Sequence, residues 1–322
     1  MTTDVPGPPR APLLCVVAPC FQEEEVVGDF YRELQAVLAA LDGLRHRIVF
    51  VDDGSTDGTL RVLNALAAGD PAVSVYSFAR NFGHQAAITC GLDQAGEPDA
   101  VVVMDSDLQH PPSLIPQLVA EWRRGCDVVH AVRQDTEGVG FLKRLTSGTF
   151  YRVFNALSDT QLTPGAADFF LLSGSALRGL RQMPEYHRFL RGMVAWIGFA
   201  RATVPYRAAP RTKGVSKYTP TKMVALAKDA VFAFSSKPLR IVSRLGLLLV
   251  ALGGLYFLEV LWEKLAGYTL VPGWATVVGV VLILGGAQLL TLGLIGEYLS
   301  RVFDEVKRRP PYILKQGAPP PP

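Results

Sequence analysis

Short apolar runs, each closed by a polar turn, recur along the first 133 residues. Leu13 to Ala18, Arg47 to Val51, Val73 to Phe78, Val101 to Met104 and Asp127 to Val132 are short and densely apolar, as buried strands are. Helical stretches fill the gaps: from Phe21 to about Leu41, onward from Leu60, from the loop at Gln85 to about Gln94, and from Pro111 and Pro112 through Trp122. The alternation over residues 13–133 predicts a doubly wound α/β sheet with ligands at the strand ends. Beyond Arg133 a helical pattern covers 141–160, and Asp168 to Ser173 forms one more strand. Arg188 to Trp196 mixes bases with aromatics, and Arg207 to Tyr218 is a basic loop. Tyr218 to Ser236 is amphipathic, with Lys222 and Lys228 among Met223, Leu226, Val231, Phe232 and Phe234. Such a helix suits a membrane interface, and packing on the sheet domain accounts for it equally.

The last third has a different pattern. Between Arg244 and Glu263 the only charge is Glu259, and between Lys264 and Glu297 there is none. A spanning helix needs roughly 20 apolar residues, so spans are predicted near 242–262 and 274–296, joined by a loop with Pro272 and Gly273. A hairpin buried in a soluble core is the competing explanation, and the length and uniformity of the second run weigh against it. Arg240 and Arg244 precede the first span, Arg301, Lys307, Arg308 and Arg309 follow the second, and the loop has only Lys264. The positive-inside rule then puts both ends in the cytoplasm. The expected organisation is a disordered leader at 1–12, a sheet domain at 13–217 and an amphipathic segment at 218–240. A hairpin at 241–300 follows, with a cytoplasmic tail at 301–322 whose Pro-rich end is disordered.

Composition adds limits. The net charge of +3 is small, with no basic stripe interleaved with aromatics and no zinc spacing, which argues against nucleic acid. The mean hydropathy of +0.23 is high for a soluble chain. Cys15, Cys20, Cys90 and Cys126 form no Cys-x-x-Cys pair, as expected in a reducing cytosol. Met1 to Pro12 has no apolar core, so no signal peptide is expected there.

The candidate chemistry lies at two strand ends. Val101 to Met104 stops at Asp105-Ser106-Asp107, followed by Gln109. Two carboxylates where a chain leaves a sheet can converge on one hard cation, Mg²⁺ or Mn²⁺, that keeps waters and grips a diphosphate. Taken alone, Asp-x-Asp is as often a solvated turn. Strand 47–51 ends in Asp52-Asp53-Gly54-Ser55, an acidic Gly-rich turn before a helix. That is the layout of a nucleotide site, and also of an ordinary capped turn. Arg188, Arg191, Arg211 and Lys217 lie between this edge and the membrane and suit a lipid phosphate by charge and geometry; each by itself could be a solvated base.

Several stretches carry a family resemblance: Cys15-Val16-Val17-Ala18-Pro19-Cys20-Phe21-Gln22-Glu23-Glu24, Val51 to Thr59, Arg80-Asn81-Phe82-Gly83-His84-Gln85, and Met104 to Pro112. Arg188-Phe189-Leu190-Arg191-Gly192, Gly214-Val215-Ser216-Lys217-Tyr218 and Gly293 to Tyr298, with Arg301, Glu305 and Lys307 to Pro310, extend the set. In this order, over about residues 13–314, they resemble family 2 glycosyltransferases. More narrowly, they resemble polyprenyl-phosphate glycosyltransferases of the dolichyl-phosphate mannose synthase and undecaprenyl-phosphate glucosyltransferase type. Gln22 stands where that family often has Asn, which keeps an amide.

The resemblance implies a GT-A fold and roles for residues. Pro19, Phe21, Glu23, Asp52 and Asp53 would hold base and ribose, and Asp105, Asp107 and Gln109 the metal and diphosphate. Arg133, Arg211 and Lys217 would meet phosphates, and Asp168 matches the family's proposed catalytic carboxylate, with Asp107 beside the reaction. A phosphate monoester has a second pKa of about 6, so the acceptor needs no base, and Asp168 can instead orient the donor. The expected reaction is an inverting transfer of one sugar from a nucleotide sugar to a polyprenyl phosphate at the cytoplasmic face of the plasma membrane. UDP-glucose is the favoured donor and GDP-mannose the second. Relatives point to a homo-oligomer. A processive polysaccharide synthase would show Gln-x-x-Arg-Trp, whereas this chain has Arg191-Gly192-Met193-Val194-Ala195-Trp196. A non-enzymatic nucleotide-binding scaffold would not need both sets of carboxylates.

Overall fold

The computed structural model describes residues 10–134, 166–206, 237–266 and 273–317. The predicted helix at 141–160, the amphipathic stretch up to Ser236, Arg211 and Lys217 lie outside them. Eight described strands form one sheet: β1 (Leu13–Cys20), β2 (Arg45–Asp52), β3 (Val73–Phe78), β4 (Ala100–Val103), β5 (Val128–Arg133), β6 (Ala166–Ser173), β7 (Arg201–Tyr206) and β8 (Leu314–Gly317). Their order is β7-β5-β6-β4-β1-β2-β3-β8. The helices between them are α1 (Val27–Ala39), α2 (Thr59–Gly69), α3 (His84–Gln94), α4 (Ile115–Arg123), α5 (Gly174–Arg181) and α6 (Leu190–Trp196). Two long helices follow, α7 (Lys237–Leu265) and α8 (Trp274–Lys307).

Strand alternation builds two apolar layers. Leu14, Val16 and Ala18 of β1 face a core that includes Phe30, Leu34 and Leu38 of α1 and Ile115 and Leu118 of α4. Cys15 and Val17 face the opposite core, with Ala87 and Ile88 of α3, Leu177 of α5 and Met193 of α6. Each fully buried Val or Leu contributes about 1.5–3 kcal/mol. The helix expected from Phe21 starts instead at Val27, because the Val26 and Val27 N–H groups both turn back to the Glu23 carbonyl. Gln22 just before that turn has φ of 57°.

The four-strand block β4-β1-β2-β3 is parallel, as the alternation predicts. The sheet as a whole is mixed. β6 runs antiparallel between β4 and β5, and β7 pairs parallel with β5. Phe169 to Leu172 are buried on both faces, so β6 has the same uniformly apolar composition as a parallel strand, and composition does not report direction. β7 was not expected at all, because its pattern of exposed Arg201 and Thr203 against buried Val204 and Tyr206 is broken by Pro205.

The tail expected from 301 is also corrected. Residues 301–307 continue α8, and β8 adds antiparallel to β3 at the sheet edge. Tyr312 anchors this return, stacked on Phe78 at 5.2 Å and donating to Asp93 at 3.0 Å. A strand of four residues is too short to show a period. At about 1.5 Å per residue, α7 and α8 are about 44 and 51 Å long. They are long and apolar enough to cross a bilayer, and Leu247, Val250, Leu289 and Leu290 are each over 70% exposed.

Gly91 of α3 lies against β1, where a Cβ would overlap the Val17 side chain, whereas Gly28 of α1 has open space around it. Gly91→Ala should lower unfolding stability by about 1–3 kcal/mol through overpacking. Gly28→Ala should be neutral or stabilising by up to about 1 kcal/mol through helix propensity. Denaturant unfolding in detergent checks both.

Candidate active site

The parallel strands end on one edge, and side chains knit the loops beyond them. Asp52, at the tip of β2, is fully buried and accepts from Ser55 N–H at 3.2 Å and the Ser77 hydroxyl at 2.8 Å. Asp53 accepts from Phe82 N–H at 2.7 Å and Gly83 N–H at 3.0 Å, which fixes the loop after β3. Burial raises the Asp53 pKa; the two N–H donors oppose this, and the Asp52 charge adds to it. Gly54 has φ of +68°, and a Cβ there would overlap the Arg80 backbone, so the two loops touch. Gln22 donates to Thr56 at 2.7 Å, and Glu24 accepts from Gly58 N–H at 2.9 Å. Asp52 and Asp53 therefore shape the pocket wall with their carboxylates. Phe21 and Glu23 sit half-buried on the rim beside them, and the Pro19 carbonyl accepts from Ser106 at 2.9 Å.

The second carboxylate group is set by strand register. Continuing the antiparallel pairing two residues past Val103↔Phe170 brings Asp105 opposite Asp168. His84, the first residue of α3, fits between them, with Nε2 3.5 Å from Asp105 Oδ1 and 3.3 Å from Asp168 Oδ2. Arg191 grips Asp168 with two bonds, Nε to Oδ1 at 2.7 Å and Nη2 to Oδ2 at 3.0 Å. Gln85 Nε2 also donates to Asp168 at 3.4 Å, and its Oε1 accepts from Leu190 N–H at 3.0 Å. On the far side His110, stacked on Phe169, accepts from Asp105 N–H at 3.2 Å.

These contacts set opposite protonation tendencies. Burial would raise the Asp168 pKa, but the Arg191 charge and the His84 and Arg191 hydrogen bonds hold it well below the carboxylate range. Burial would lower the His84 pKa, but the bond to Asp168 and the charges of Asp105 and Asp168 lift it from 6.5 to about 9. Asp105 is raised by burial and by Asp168 and Asp107, against the pull of His84 and His110. Tyr206 is pushed up to about 12 by burial, opposed by Arg133 and reinforced by Asp105 and Asp107. Arg133, at the exposed end of β5, therefore shares one neighbourhood with the Asp105–Asp107 turn.

Crowded negative charge and hard oxygen donors at Asp105 and Asp107 fit a divalent cation. Gln109 follows them, its N–H donating to Asp107 Oδ1 at 3.0 Å. No group of three or more His, Cys, Asp and Glu fit to hold a metal occurs among the described residues, so a cation here would complete its shell from water and substrate oxygens.

The bases divide. Arg191 is committed to Asp168, whereas Arg188 donates to the Met183 carbonyl at 2.9 Å and the Glu185 carbonyl at 3.3 Å. Sequence reasoning gave no role to His84, Gln85, His110 or Tyr206. His84 and Gln85 were findable, since they open the helix directly after a glycine in the loop that follows β3.

The model for Glycosyl transferase family 2 matches residues 15–178, and that for the GtrB C-terminal hairpin matches 237–302. The chain is 38% identical to the uncharacterized glycosyltransferase YkcC of Bacillus subtilis, covering 94% of this chain and 93% of that one. It is 37% identical to the SfII prophage-derived bactoprenol glucosyl transferase of Shigella flexneri, covering 94% and 98%. Among solved structures it is similar to glucosyl-3-phosphoglycerate synthase from Mycobacterium tuberculosis, solved with Mn²⁺, UDP and phosphoglyceric acid. That likeness has 21% identity and a TM-score of 0.48, and it covers 69% of this chain and 76% of the other.

His84 should titrate near pH 9 instead of 6.5 in a histidine-selective NMR experiment. A pKa raised on folding adds stability that is fully present below 6.5 and is lost as pH rises through about 9. Asp168→Asn should lower that midpoint, because the bond to the carboxylate and one of the two nearby negative charges are lost while burial and the Arg191 charge remain. It should also destabilise the fold by about 3 kcal/mol, the lower end for breaking a buried pair, since Arg191 is partly exposed.

Proposed function

The chain belongs to glycosyl transferase family 2 and is a glycosyltransferase with a GT-A-type α/β domain, and on that premise we propose that its acceptor is a polyprenyl phosphate in the cytoplasmic leaflet. One observation carries this reading: the sheet domain that bears the carboxylate edge and an exposed apolar helix hairpin are joined by direct contacts. Tyr186 N–H donates to Glu305 at 3.0 Å, and His187 Nε2 lies 3.1 Å from Asp304. A lipid acceptor explains why a sugar-transfer site is tied so closely to a pair of membrane-length helices. The relatives named bactoprenol glucosyl transferase support the same acceptor class and a glucosyl donor; UDP-glucose is the donor we propose, with GDP-mannose the alternative.

In this mechanism Phe21 and Glu23 line the nucleoside end, on a wall shaped by Pro19, Asp52 and Asp53. Asp105 and Asp107, with Gln109 beside them, would hold Mg²⁺ or Mn²⁺, which offsets charge on a leaving diphosphate. Arg133 faces the same charge from β5. The acceptor phosphate oxygen attacks the anomeric carbon as the bond to the diphosphate oxygen breaks, with inversion. The acceptor is already ionised, since its second pKa is about 6. Asp168, gripped by Arg191 and His84, is a poor proton acceptor and serves to orient the site. Catalysis is then mostly positioning. The bases flanking the hairpin support a topology with both chain ends and the sheet domain on the cytoplasmic side, by the positive-inside rule.

The test is a panel of labelled sugar nucleotides with undecaprenyl phosphate in membranes. UDP-glucose should give a labelled glycosyl-phospholipid, and EDTA should abolish it. Asp105→Asn should slow transfer by about 10²–10³-fold, matching several kcal/mol of lost charge stabilisation. If no donor labels the lipid in the presence of metal, the acceptor assignment fails.

A further inference from the structure

A cavity of about 350 Å³ lies where α8 meets the sheet domain, apart from the carboxylate edge. Gln85 and Thr89 of α3, Tyr186, His187 and Arg188 of the α5–α6 connection, and Arg301 of α8 line it. The charged side chains among its lining residues are bases, with Arg301 3.9 Å from Glu297 and His187 3.1 Å from Asp304 just outside the lining. Thr89 is fully buried, and its Oγ1 has no hydrogen-bond partner among the described residues. A buried hydroxyl in that state carries a desolvation cost that an acceptor oxygen would remove.

Depth identifies the kind of ligand. If the second span ends near residue 296, Arg301 lies five residues further on. That is about 7.5 Å along the axis, at the outer bound of the polar layer of about 5–7.5 Å that flanks the hydrocarbon core on each side. In the next turn, the His187–Asp304 contact and the hydrogen bond from Tyr186 N–H to Glu305 hold the lining segment 186–189 at the same level. Phosphate groups of lipids populate that layer. We infer that this cavity is a docking site for the phosphate of a membrane lipid, received by Arg301, Arg188 and the Thr89 hydroxyl. Gln85 both lines the cavity and donates to Asp168, so a phosphate held there would be one side chain away from the reacting edge. The inference rests on the cytoplasmic-leaflet topology proposed above and not on the identity of the donor.

The full-length protein is placed in phosphatidylcholine nanodiscs doped with undecaprenyl phosphate in one arm and phosphatidylglycerol in another, with inorganic phosphate in solution as a third. Retained lipid is counted by native mass spectrometry, and sugar transfer is measured in parallel. Wild type should retain a doped lipid, and the arm in which it does so names the lipid. Arg301→Gln should lower retention about tenfold, the loss of one charge-assisted hydrogen bond. Arg301→Lys should recover part of it. Thr89→Val, which removes no charge and keeps the shape, should lower it several-fold with UDP binding unchanged. Equal retention by wild type, Arg301→Gln and Thr89→Val overturns the inference, as does occupancy by inorganic phosphate with no retained lipid. Lipid retention without sugar transfer in any arm counts against the proposed function alone.

Discussion

Two carboxylates that would repel each other are brought face to face at the end of the sheet. Asp105 leaves β4 and Asp168 enters β6, and the antiparallel register between those strands makes them opposite neighbours. The pair persists because positive charge is supplied from two helices: His84 at the start of α3 and Arg191 in the first turn of α6. Without those partners, two largely desolvated negative charges would be costly. The positions of α3 and α6 on the sheet, and of the loops that lead into them, are therefore tied to one electrostatic requirement.

The division of labour follows from which carboxylate is neutralised. Asp168 is almost completely compensated, so it is fixed in place and unavailable for proton transfer. Asp105 is only partly compensated and has Asp107 nearby, so negative charge remains where a cation and a diphosphate would bind. One antiparallel strand in an otherwise parallel block thus sets a carboxylate held by Arg191 and His84 beside one that is only partly compensated. The Asp52 and Asp53 carboxylates act differently again, bonding backbone N–H groups and a serine so that the loops around the site keep their shape.

The link to the apolar hairpin is mechanical as well as spatial. α8 runs past its apolar stretch, contacts the α5–α6 connection through Asp304 and Glu305, and returns as β8 onto the sheet edge. Tyr312, stacked on Phe78 and bonded to Asp93, fastens the return. The sheet domain is held to the end of the hairpin at two places, which limits how far the carboxylate edge can swing from the hairpin.

Much of this was written into the chain as local pattern. Apolar runs of four to eight residues located β1 to β6, long stretches with one charge or none located α7 and α8, and Asp105, Asp107, Asp52 and Asp53 stood out as acids at strand ends. Those features depend on neighbours a few residues away, and periodicity and composition report them directly. Long-range pairing does not appear in local pattern. The direction of β6, the existence of β7 and β8, the meeting of Asp168 with His84 and Arg191, and the use of Asp52 and Asp53 as loop anchors join residues from 20 to more than 200 positions apart. A buried strand has the same composition in either direction, and a carboxylate has the same letter whether it holds a metal, an arginine or a backbone amide. Only the tertiary structure, by deciding which partner reaches each one, decided what each acid does.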